Sequence, residues 1–370
     1  MSRPAIPRKY AEVGLGDKLS FVGTILCLPA AIAWGLLTTT HLPHNKSRSL
    51  KRILGDVTLK FLVRNTSVEQ LQWSTPSTMD MYDKWNKANG LPGTVDEIGE
   101  DARLLWIGEK RLDKVILFAH GGGFVLPASD YSVSFWRYVQ LELEKKGIHV
   151  GIALLNYTIV PNANFPTPLK QLCRAVEFLL DAGVKPENLQ LTGDSAGGNL
   201  ILQLVSQILH PLPNVPLVPT LSAPLRGILL ISPWTNLSAD SPSHSQNGSF
   251  DSVGPTTLSD WGSRTKSAMT DPEREAPFVE AVRAPEGWFA GIDKLVERVL
   301  VTAGGVESLR DDVVLVGEML KKEIPGTEVV VQPGGMHEDM YLDFSAKEDL
   351  GRLGTLTPLI VEWVAAGFHD

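Results

Sequence analysis

A serine flanked by small residues is the first candidate for chemistry in this sequence. Ser195 is the centre of Gly193-Asp194-Ser195-Ala196-Gly197, a G-x-S-x-G pattern that follows an apolar segment and precedes a helical one. A serine in that context lies on a sharp strand-to-helix turn, where larger neighbours would collide. The pattern therefore predicts Ser195 as a nucleophile.

A run of glycines lies upstream of this turn. His120-Gly121-Gly122-Gly123 directly follows another apolar segment. Glycines let the backbone aim its N–H groups at a negatively charged oxygen, and each such donor contributes about 10²–10³ in rate. We therefore predict an oxyanion hole formed by the backbone N–H groups of Gly121, Gly122 and Ala196.

A serine hydroxyl is a weak nucleophile, so a base is required. In hydrolases with this serine turn, the order along the chain is serine, acid, histidine. Among the histidines that this order allows, His337 follows the last predicted strand in the turn-rich loop 333–336. The others are His210 at a helix end, His244 in a long insertion and His369 at the terminus. We predict His337 as the base.

The acid should follow the preceding strand and accept a hydrogen bond from the histidine. Glu307 follows the apolar segment 299–302 in a short loop. Asp311 and Asp312 come about one helical turn later, where acidic residues commonly begin a helix. We predict Glu307 as the acid and keep the two aspartates as alternatives.

The elements that must position these groups begin at about residue 102. Short β-rich segments alternate with helical ones, and several are continuously apolar, as in a parallel sheet buried on both faces. This alternation predicts an α/β fold with a mostly parallel, doubly wound sheet. The predicted strands are 104–107, 115–119, 150–155, 189–192, 228–231, 299–302 and 329–332, and the predicted helices are 131–146, 169–182, 197–209 and 311–322.

Two regions depart from this alternation. Residues 1–95 precede it and have helical periodicity over 46–89, while residues 236–293 form a long insertion rich in Ser, Pro and Asp. We predict that both contribute to a helical cap, and that 96–370 form the catalytic domain.

Residues 21–37 form an uncharged apolar run near the N-terminus. The run is short for a spanning helix, which needs about 20 residues, and Pro29 lies in its middle. The alternatives are a signal anchor, a cleaved signal peptide, or an amphipathic or buried helix that covers the active site and touches a membrane surface. We expect an intracellular chain with membrane contact through 21–37. The basic residues before the run are Arg3, Arg8, Lys9 and Lys18.

The composition excludes several classes of function. With 34 basic and 42 acidic residues, the net charge is −8, so no nucleic-acid partner is expected. Cys27 and Cys173 do not indicate a disulfide framework, and a reducing compartment is the expectation. The sequence has no metal-ligand cluster and no dinucleotide fingerprint, so no metal or cofactor is predicted. It does not indicate an oligomeric state.

These motifs together resemble the hormone-sensitive-lipase family of α/β-hydrolases, which includes microbial esterases and plant carboxylesterases. The resemblance extends from about residue 100 to 345 and includes the glycine run, the serine turn and the segments 156–166 and 232–235. It implies an α/β-hydrolase fold with an N-terminal helical cap. The overall sequence is most similar to fungal members, some of which serve secondary metabolism.

The sequence departs from the family pattern at two points. The family's acid is usually the first Asp of an Asp-Pro-Leu-Arg-Asp segment, and here the matching segment begins with Glu307. The longer side chain keeps the carboxylate but moves it by one methylene. The segment at Tyr157 also differs from the family's usual Tyr-Arg-Leu-Ala-Pro-Glu.

These residues predict a serine hydrolase that cleaves an ester or thioester of an apolar small molecule through an acyl-enzyme. One alternative is a repurposed enzyme of the same fold that catalyses cyclisation or elimination. Another is a non-catalytic small-molecule receptor, as in the plant hormone receptor that resembles this family, although such receptors tend to lose a catalytic residue. The apolar residues that flank the motifs, and are predicted to bind the substrate, are Phe124, Val125, Leu126, Trp234 and Leu237.

Overall fold

The computed structural model describes residues 12–368, so His369 and the basic residues Arg3, Arg8 and Lys9 lie outside the described range. Within that range the strands are β1 Thr94–Gly99, β2 Ala102–Ile107, β3 Val115–Ala119, β4 Gly151–Asn156, β5 Leu189–Asp194, β6 Gly227–Ile231, β7 Val299–Gly304 and β8 Glu328–Gln332. They form a sheet in the order β1-β2-β4-β3-β5-β6-β7-β8. The β1–β2 and β2–β4 pairs are antiparallel and the other pairs are parallel.

Helices precede, connect and follow these strands. They are α1 Leu15–Thr39, α2 Leu50–Asn65, α3 Val68–Ser74, α4 Thr78–Asn89, α5 Asp130–Lys145, α6 Thr167–Asp181, α7 Ala196–Leu209, α8 Pro242–Asn247, α9 Pro255–Lys266, α10 Pro272–Val279, α11 Arg310–Glu323, α12 Asp339–Ser345 and α13 Leu356–Phe368. Single 3₁₀ turns cover Pro43–Asn45, Pro186–Asn188, Ala281–Arg283, Ile292–Lys294 and Leu350–Arg352.

The predicted α/β sheet is confirmed, because all seven predicted strands are present as strands of this sheet. The apolar runs are strands because both faces of the sheet are covered: every residue of β3 and β5 is buried. Residues of α6, α7 and α11 form one core on one face. Residues of α5 and α13 form a second core on the other face.

The register of the parallel strands brings their carboxyl ends to one edge. Ala119 of β3 pairs with Gly193 of β5, and Ile231 of β6 pairs with Thr302 of β7. At the next pair, Gly304 of β7 lies opposite Gln332 of β8. Loops that follow these strands therefore meet at the same edge, which is where open α/β sheets bind their ligands.

One strand was not predicted from the sequence. β1 pairs with β2 at the antiparallel end of the sheet, and of its six residues three are half-buried, two are exposed and only Ile98 is buried. β1 lies at the edge of the sheet, so its polar side chains reach solvent and charged partners: Asp96 pairs with Lys110 and Glu97 pairs with Arg103. These two acidic residues interrupt the apolar pattern by which a strand is predicted. The helical periodicity over 46–89 corresponds to three helices, α2 to α4, each begun by a serine whose hydroxyl accepts a backbone N–H, namely Ser49, Ser67 and Ser77.

Helix α1 contains the apolar N-terminal run and has no buried residue. On its outer side Leu26, Trp34 and Leu37 are 76%, 70% and 74% exposed. On its inner side Gly35 lies against Val57 of α2, where a Cβ would collide. Among residues 12–368, α1 is the helix that is long and apolar enough to cross a membrane. The alternative of a buried helix is therefore wrong.

Candidate active site

Ser195 lies on a strained turn between β5 and α7. Its backbone has φ 47° and ψ −115°, a conformation that L-residues rarely adopt. The turn is held by backbone hydrogen bonds from Ser195 N to Ile231 O and from Trp234 N to Ser195 O, both 2.9 Å. A Cβ at Gly197 would collide with the backbone of Ala119, so this position accepts only glycine. The turn thus points Ser195 at the carboxyl edge of the sheet.

His337 and Glu307 form a buried pair from the loops after β8 and β7. His337 Nδ1 lies 2.9 Å from Glu307 Oε1. The other carboxylate oxygen accepts hydrogen bonds from Gly304 N at 2.6 Å and from Ser232 Oγ at 2.8 Å. Glu307 is fully buried, so these three contacts hold its carboxylate in one orientation. The extra methylene of glutamate, relative to the family's aspartate, is accommodated.

The alternative candidates from the sequence lie elsewhere. His244 Nε2 lies 2.9 Å from Asp312 Oδ2, and Asp311 accepts a hydrogen bond from Ser243 N at 3.0 Å. His210 stacks on Trp288 and contacts its carbonyl. None of these groups contacts His337 or Ser195.

Burial and nearby charge act in opposite directions on the pair. Burial lowers the pKa of His337, but the carboxylates of Glu338, Glu307 and Asp251 outweigh it and raise that pKa to about 9. Burial raises the pKa of Glu307, and the charge of His337 opposes the increase. The pair therefore favours a protonated imidazole at neutral pH.

Ser195 and His337 line the same cavity of about 110 Å³. Within residues 12–368 the Ser195 hydroxyl has no hydrogen-bond partner, so the serine and the histidine are brought together without being bonded. Catalytic hydrogen bonds are often long in the absence of substrate and tighten when it binds. The arrangement has the groups needed for acyl transfer: a nucleophile, a base and an acid that fixes the base.

The structure differs from the prediction for Gly121. Its N–H donates to Asp194 Oδ2 at 2.8 Å, so this N–H is already used and cannot serve an oxyanion. In the part of the chain described, the N–H groups of Gly122 and Gly123 have no backbone acceptor. Ala196 is the first residue of α7, where N–H groups lack partners inside the helix. The candidate donors are therefore Gly122, Gly123 and Ala196.

The rings of Tyr157 and His120 hold the start of the glycine loop 120–123. Tyr157 Oη donates to His120 O at 2.7 Å, and the Tyr157 and His120 rings stack with their centroids 4.3 Å apart. His120 Nδ1 contacts Gly121 O at 2.7 Å. Burial lowers the pKa of His120 to about 4, so this ring is neutral and structural.

The predicted substrate-binding residues divide into two groups. Leu126 and Trp234 line the cavity at Ser195. Phe124, Val125 and Leu237 do not line it and are buried in the core. The side chains of consecutive residues point in different directions, so a residue next to a motif in sequence need not line the cavity. Several other apolar residues of the lining come from α2 and the insertion, namely Leu59, Val63, Val253, Leu258 and Trp261, and Leu342 comes from α12.

Asp251, which the sequence did not single out, holds both the loop that carries His337 and the loop that carries Glu307. It lies in the insertion and is fully buried. Its Oδ1 accepts from His337 N at 3.0 Å, and its Oδ2 accepts from Ser308 N at 2.7 Å. Asn247 of the same insertion donates to Glu307 O at 2.9 Å. No local pattern marks Asp251, because its partners lie far away along the chain.

A buried ion cluster ties α2 to the loop that carries His337. Arg52 is 2% exposed and contacts Asp56 at 2.8 Å, Asp339 at 2.7 Å and Asp343. Burial raises the pKa of Asp339, but Arg52 and Arg48 outweigh it and leave that pKa below its usual range. Asp339 in turn accepts a hydrogen bond from the backbone next to His337. Asp339 is therefore ionised at neutral pH, and its contacts with Arg52 and with Met336 N hold this loop.

Comparison with known proteins points to one fold family. A family model described as alpha/beta hydrolase fold matches residues 116–340. Arylacetamide deacetylase of Bos taurus is 28% identical over 152 residues, which are 38% of this chain and 35% of that protein. An acetyl-hydrolase of Streptomyces hygroscopicus is 30% identical over 173 residues, 44% of this chain and 51% of that protein. The match thus spans about a third to a half of these relatives.

Solved structures share the fold at low sequence identity. An esterase from the bacterial hormone-sensitive lipase family has a TM-score of 0.64 and 19% identity, with 87% of this chain and 99% of that chain covered. Carboxyl esterase 2 from the mycorrhizal fungus Tuber melanosporum has a TM-score of 0.59 and 21% identity, with 75% and 88% covered.

Proposed function

Because this chain belongs to the α/β-hydrolase fold family and is hormone-sensitive-lipase-like, we propose that it is a carboxylic ester hydrolase working through an acyl-enzyme on Ser195. The observation that carries the proposal is the strained turn that presents Ser195 to the cavity shared with the His337–Glu307 pair. The names of the relatives, which include acetyl-hydrolase and esterase, support it.

In the proposed reaction, neutral His337 takes the Ser195 proton at Nε2 while Oγ attacks the acyl carbonyl. The N–H groups of Gly122, Gly123 and Ala196 would stabilise the oxyanion. His337 then returns the proton to the leaving alkoxide, and a water activated by the same histidine releases the acid. Glu307 keeps Nδ1 protonated and stabilises the imidazolium.

We propose a short acyl group on an apolar alcohol as the substrate. The cavity of about 110 Å³ is well below the several hundred Å³ of pockets for drug-sized ligands, so it favours an acetyl-sized chain. Its apolar walls from α2, Leu126 and Trp261 suit an apolar leaving group. Arylacetamide deacetylase and acetyl-hydrolase are names consistent with that choice. A secondary metabolite is the kind of substrate that the sequence resemblance suggests.

The segment 1–95 and the insertion 236–293 are proposed to act as a cap on the catalytic domain 96–370. Within the described residues, the support is that Leu59 and Val63 of α2 and Trp261 of α9 line the cavity over Ser195. A cap of this kind would exclude water and select the acyl group.

We also propose that α1 holds the protein at a membrane. Its outer side is apolar and exposed, while its inner side is held against α2 and α3, as in the contact between Phe21 and Trp73. A helix held on one side can enter the interface laterally. Flotation with phosphatidylcholine vesicles should be lost on changing Leu26 and Trp34 to Glu, and kept in the matched Leu350→Glu, an exposed leucine elsewhere. Equal flotation of all variants would refute the anchor.

A chain-length series of p-nitrophenyl esters tests the proposed substrate. We expect kcat/KM to be highest for acetate and butyrate and to fall for octanoate and longer chains. Trp261→Ala enlarges the cavity and should move the preference to longer chains, whereas the exposed Trp73→Ala should leave it unchanged. A wild-type preference for long chains would contradict the short-acyl proposal, and turnover without Ser195 would favour the cyclisation or elimination alternative.

A further inference from the structure

Glu338 places a second carboxylate next to the catalytic histidine. Its backbone is left-handed, with φ 54°, at the start of α12. This conformation turns its side chain back to His337, and Glu338 Oε1 lies 3.7 Å from His337 Nε2. Because Nδ1 contacts Glu307, the imidazole has a carboxylate at each nitrogen. Nε2 is the atom that must receive the Ser195 proton.

The same carboxylate lies against the glycine loop. A Cβ at Gly121 would collide with Asp194 Oδ2 and lie 2.8 Å from Glu338 Oε1, so both carboxyl groups crowd this glycine. The Asp194 carboxyl is a hydrogen-bond partner of the Glu338 side chain, and the described residues offer Glu338 Oε1 no N–H donor. Burial first, and then the charge of Glu338 and a hydrogen bond between the two carboxyl groups, raise the pKa of Asp194 well above its usual range. Among the described residues, His337 is the cation that Glu338 faces, with 3.7 Å between His337 Nε2 and Glu338 Oε1.

We propose that Glu338 is a positioning residue that holds the protonated His337 from the Nε2 side and thereby confines turnover to alkaline pH. The inference rests on the proposed function, since it concerns the base of that reaction. It adds a residue that the triad does not require and that sits where substrate would enter, because Glu338 also lines the cavity.

The sign of the effect follows from the role of His337. The base acts only when it is neutral, and its pKa of about 9 leaves it mostly protonated at pH 7. Activity should therefore rise with pH and level off above about 9. Removing the Glu338 charge lowers the pKa of His337 and moves this rise to lower pH. Other titratable groups that surround the pair are Glu307 after β7, Asp251 in the insertion, Asp194 at the end of β5, Tyr131 of α5 and Tyr341 of α12.

The test is the pH dependence of Ser195 labelling by a fluorophosphonate, measured on the full chain. In the wild type the labelling rate should rise with pH as His337 loses its proton, and we call this rise the acid limb. In Glu338→Gln the midpoint of the acid limb should lie about one pH unit lower, a typical effect of one charge at this distance. Labelling of this variant at pH 7 should then be about tenfold faster than that of the wild type. Glu338→Asp keeps the negative charge, so the midpoint of its acid limb should stay at alkaline pH. Glu318→Gln, on the exposed side of α11, should match the wild type.

The outcomes separate this inference from the proposed function. If Ser195 is not labelled at any pH, the proposed function fails. If it is labelled with the same acid limb in the wild type and in Glu338→Gln, the role of Glu338 fails while the function stands. A loss of folding in Glu338→Gln would be seen by circular dichroism, and Glu338→Asp then decides: a limb at neutral pH despite the retained charge refutes the inference.

Discussion

The sheet edge and the segments that lie over it supply different kinds of group to the site. The sheet edge supplies Ser195, Glu307 and His337, each in a loop that directly follows a strand. The insertion supplies Asp251, which accepts a hydrogen bond from the backbone of His337, and α2 supplies Arg52, which pairs with the carboxylate of Asp339. Neither side chain lines the cavity. In the proposed reaction, the sheet edge would carry the chemistry, while the overlying segments fix its geometry. Substitutions in the two regions should therefore differ in kind.

The largest expected effect is at the nucleophile. Ser195→Ala should lower kcat by about 10⁵–10⁶-fold, because the acyl-enzyme cannot form. The exposed Ser259→Ala of the insertion is the matched control and should retain full activity. Steady-state hydrolysis of p-nitrophenyl acetate measures the kcat of both variants. If kcat of Ser195→Ala falls by less than tenfold, Ser195 at the sheet edge is not the nucleophile.

The acid should come next. Glu307→Gln keeps the shape but cannot hold the imidazolium, so kcat should fall by about 10⁴-fold. Asp311→Asn should be close to wild type, because Asp311 contacts the backbone of Ser243 and not His337. If the same kinetic assay shows a larger loss of kcat in Asp311→Asn than in Glu307→Gln, the acid is Asp311 and not Glu307.

A smaller loss is expected in the overlying insertion. Asp251→Asn leaves an amide nitrogen facing either His337 N or Ser308 N, so one of the two loops must shift. A displacement of about 1 Å can cost about 10²-fold, and we expect kcat to fall by about 10- to 100-fold with KM little changed. Asp260→Asn, an exposed aspartate of the same insertion, is the control. Equal kinetics of the two variants would show that the insertion does not hold the catalytic loops.

The smallest effect on kcat, but a large one on stability, is expected at α2. Arg52→Met leaves Asp343 buried without its cation and leaves Asp339 with Arg48 alone, which should cost about 3–5 kcal/mol of unfolding free energy. Arg283→Met breaks an exposed pair and should cost about 0–1 kcal/mol. Urea unfolding compares them. Similar stabilities would mean that the buried cluster does not fix the His337 loop.

The groups of the sheet edge could be predicted because their signals are local. A glycine-rich turn after an apolar strand marks Ser195, and the position after the last strand marks His337. Gly121 was assigned wrongly because its hydrogen bond to Asp194 joins residues that are 73 positions apart. A pattern that spans a few residues does not contain that contact.

The overlying groups could not be predicted for the same reason. Asp251 contacts residues 57 and 86 positions away, and Arg52 reaches Asp339 across 287 positions. Their burial depends on how the segments pack on the sheet, which no periodicity encodes. The direction of Phe124 and Val125, which point into the core, likewise depends on the tertiary turn after the glycine loop.

The most direct test of the account is the covalent intermediate itself. The protein is mixed with p-nitrophenyl acetate, quenched in acid within the first turnovers, digested and analysed by mass spectrometry. We predict one acetyl group on the peptide that contains Ser195, and none on that peptide in Ser195→Ala. Turnover of the ester without acetylation of this peptide, or with acetylation of another residue, would contradict the account.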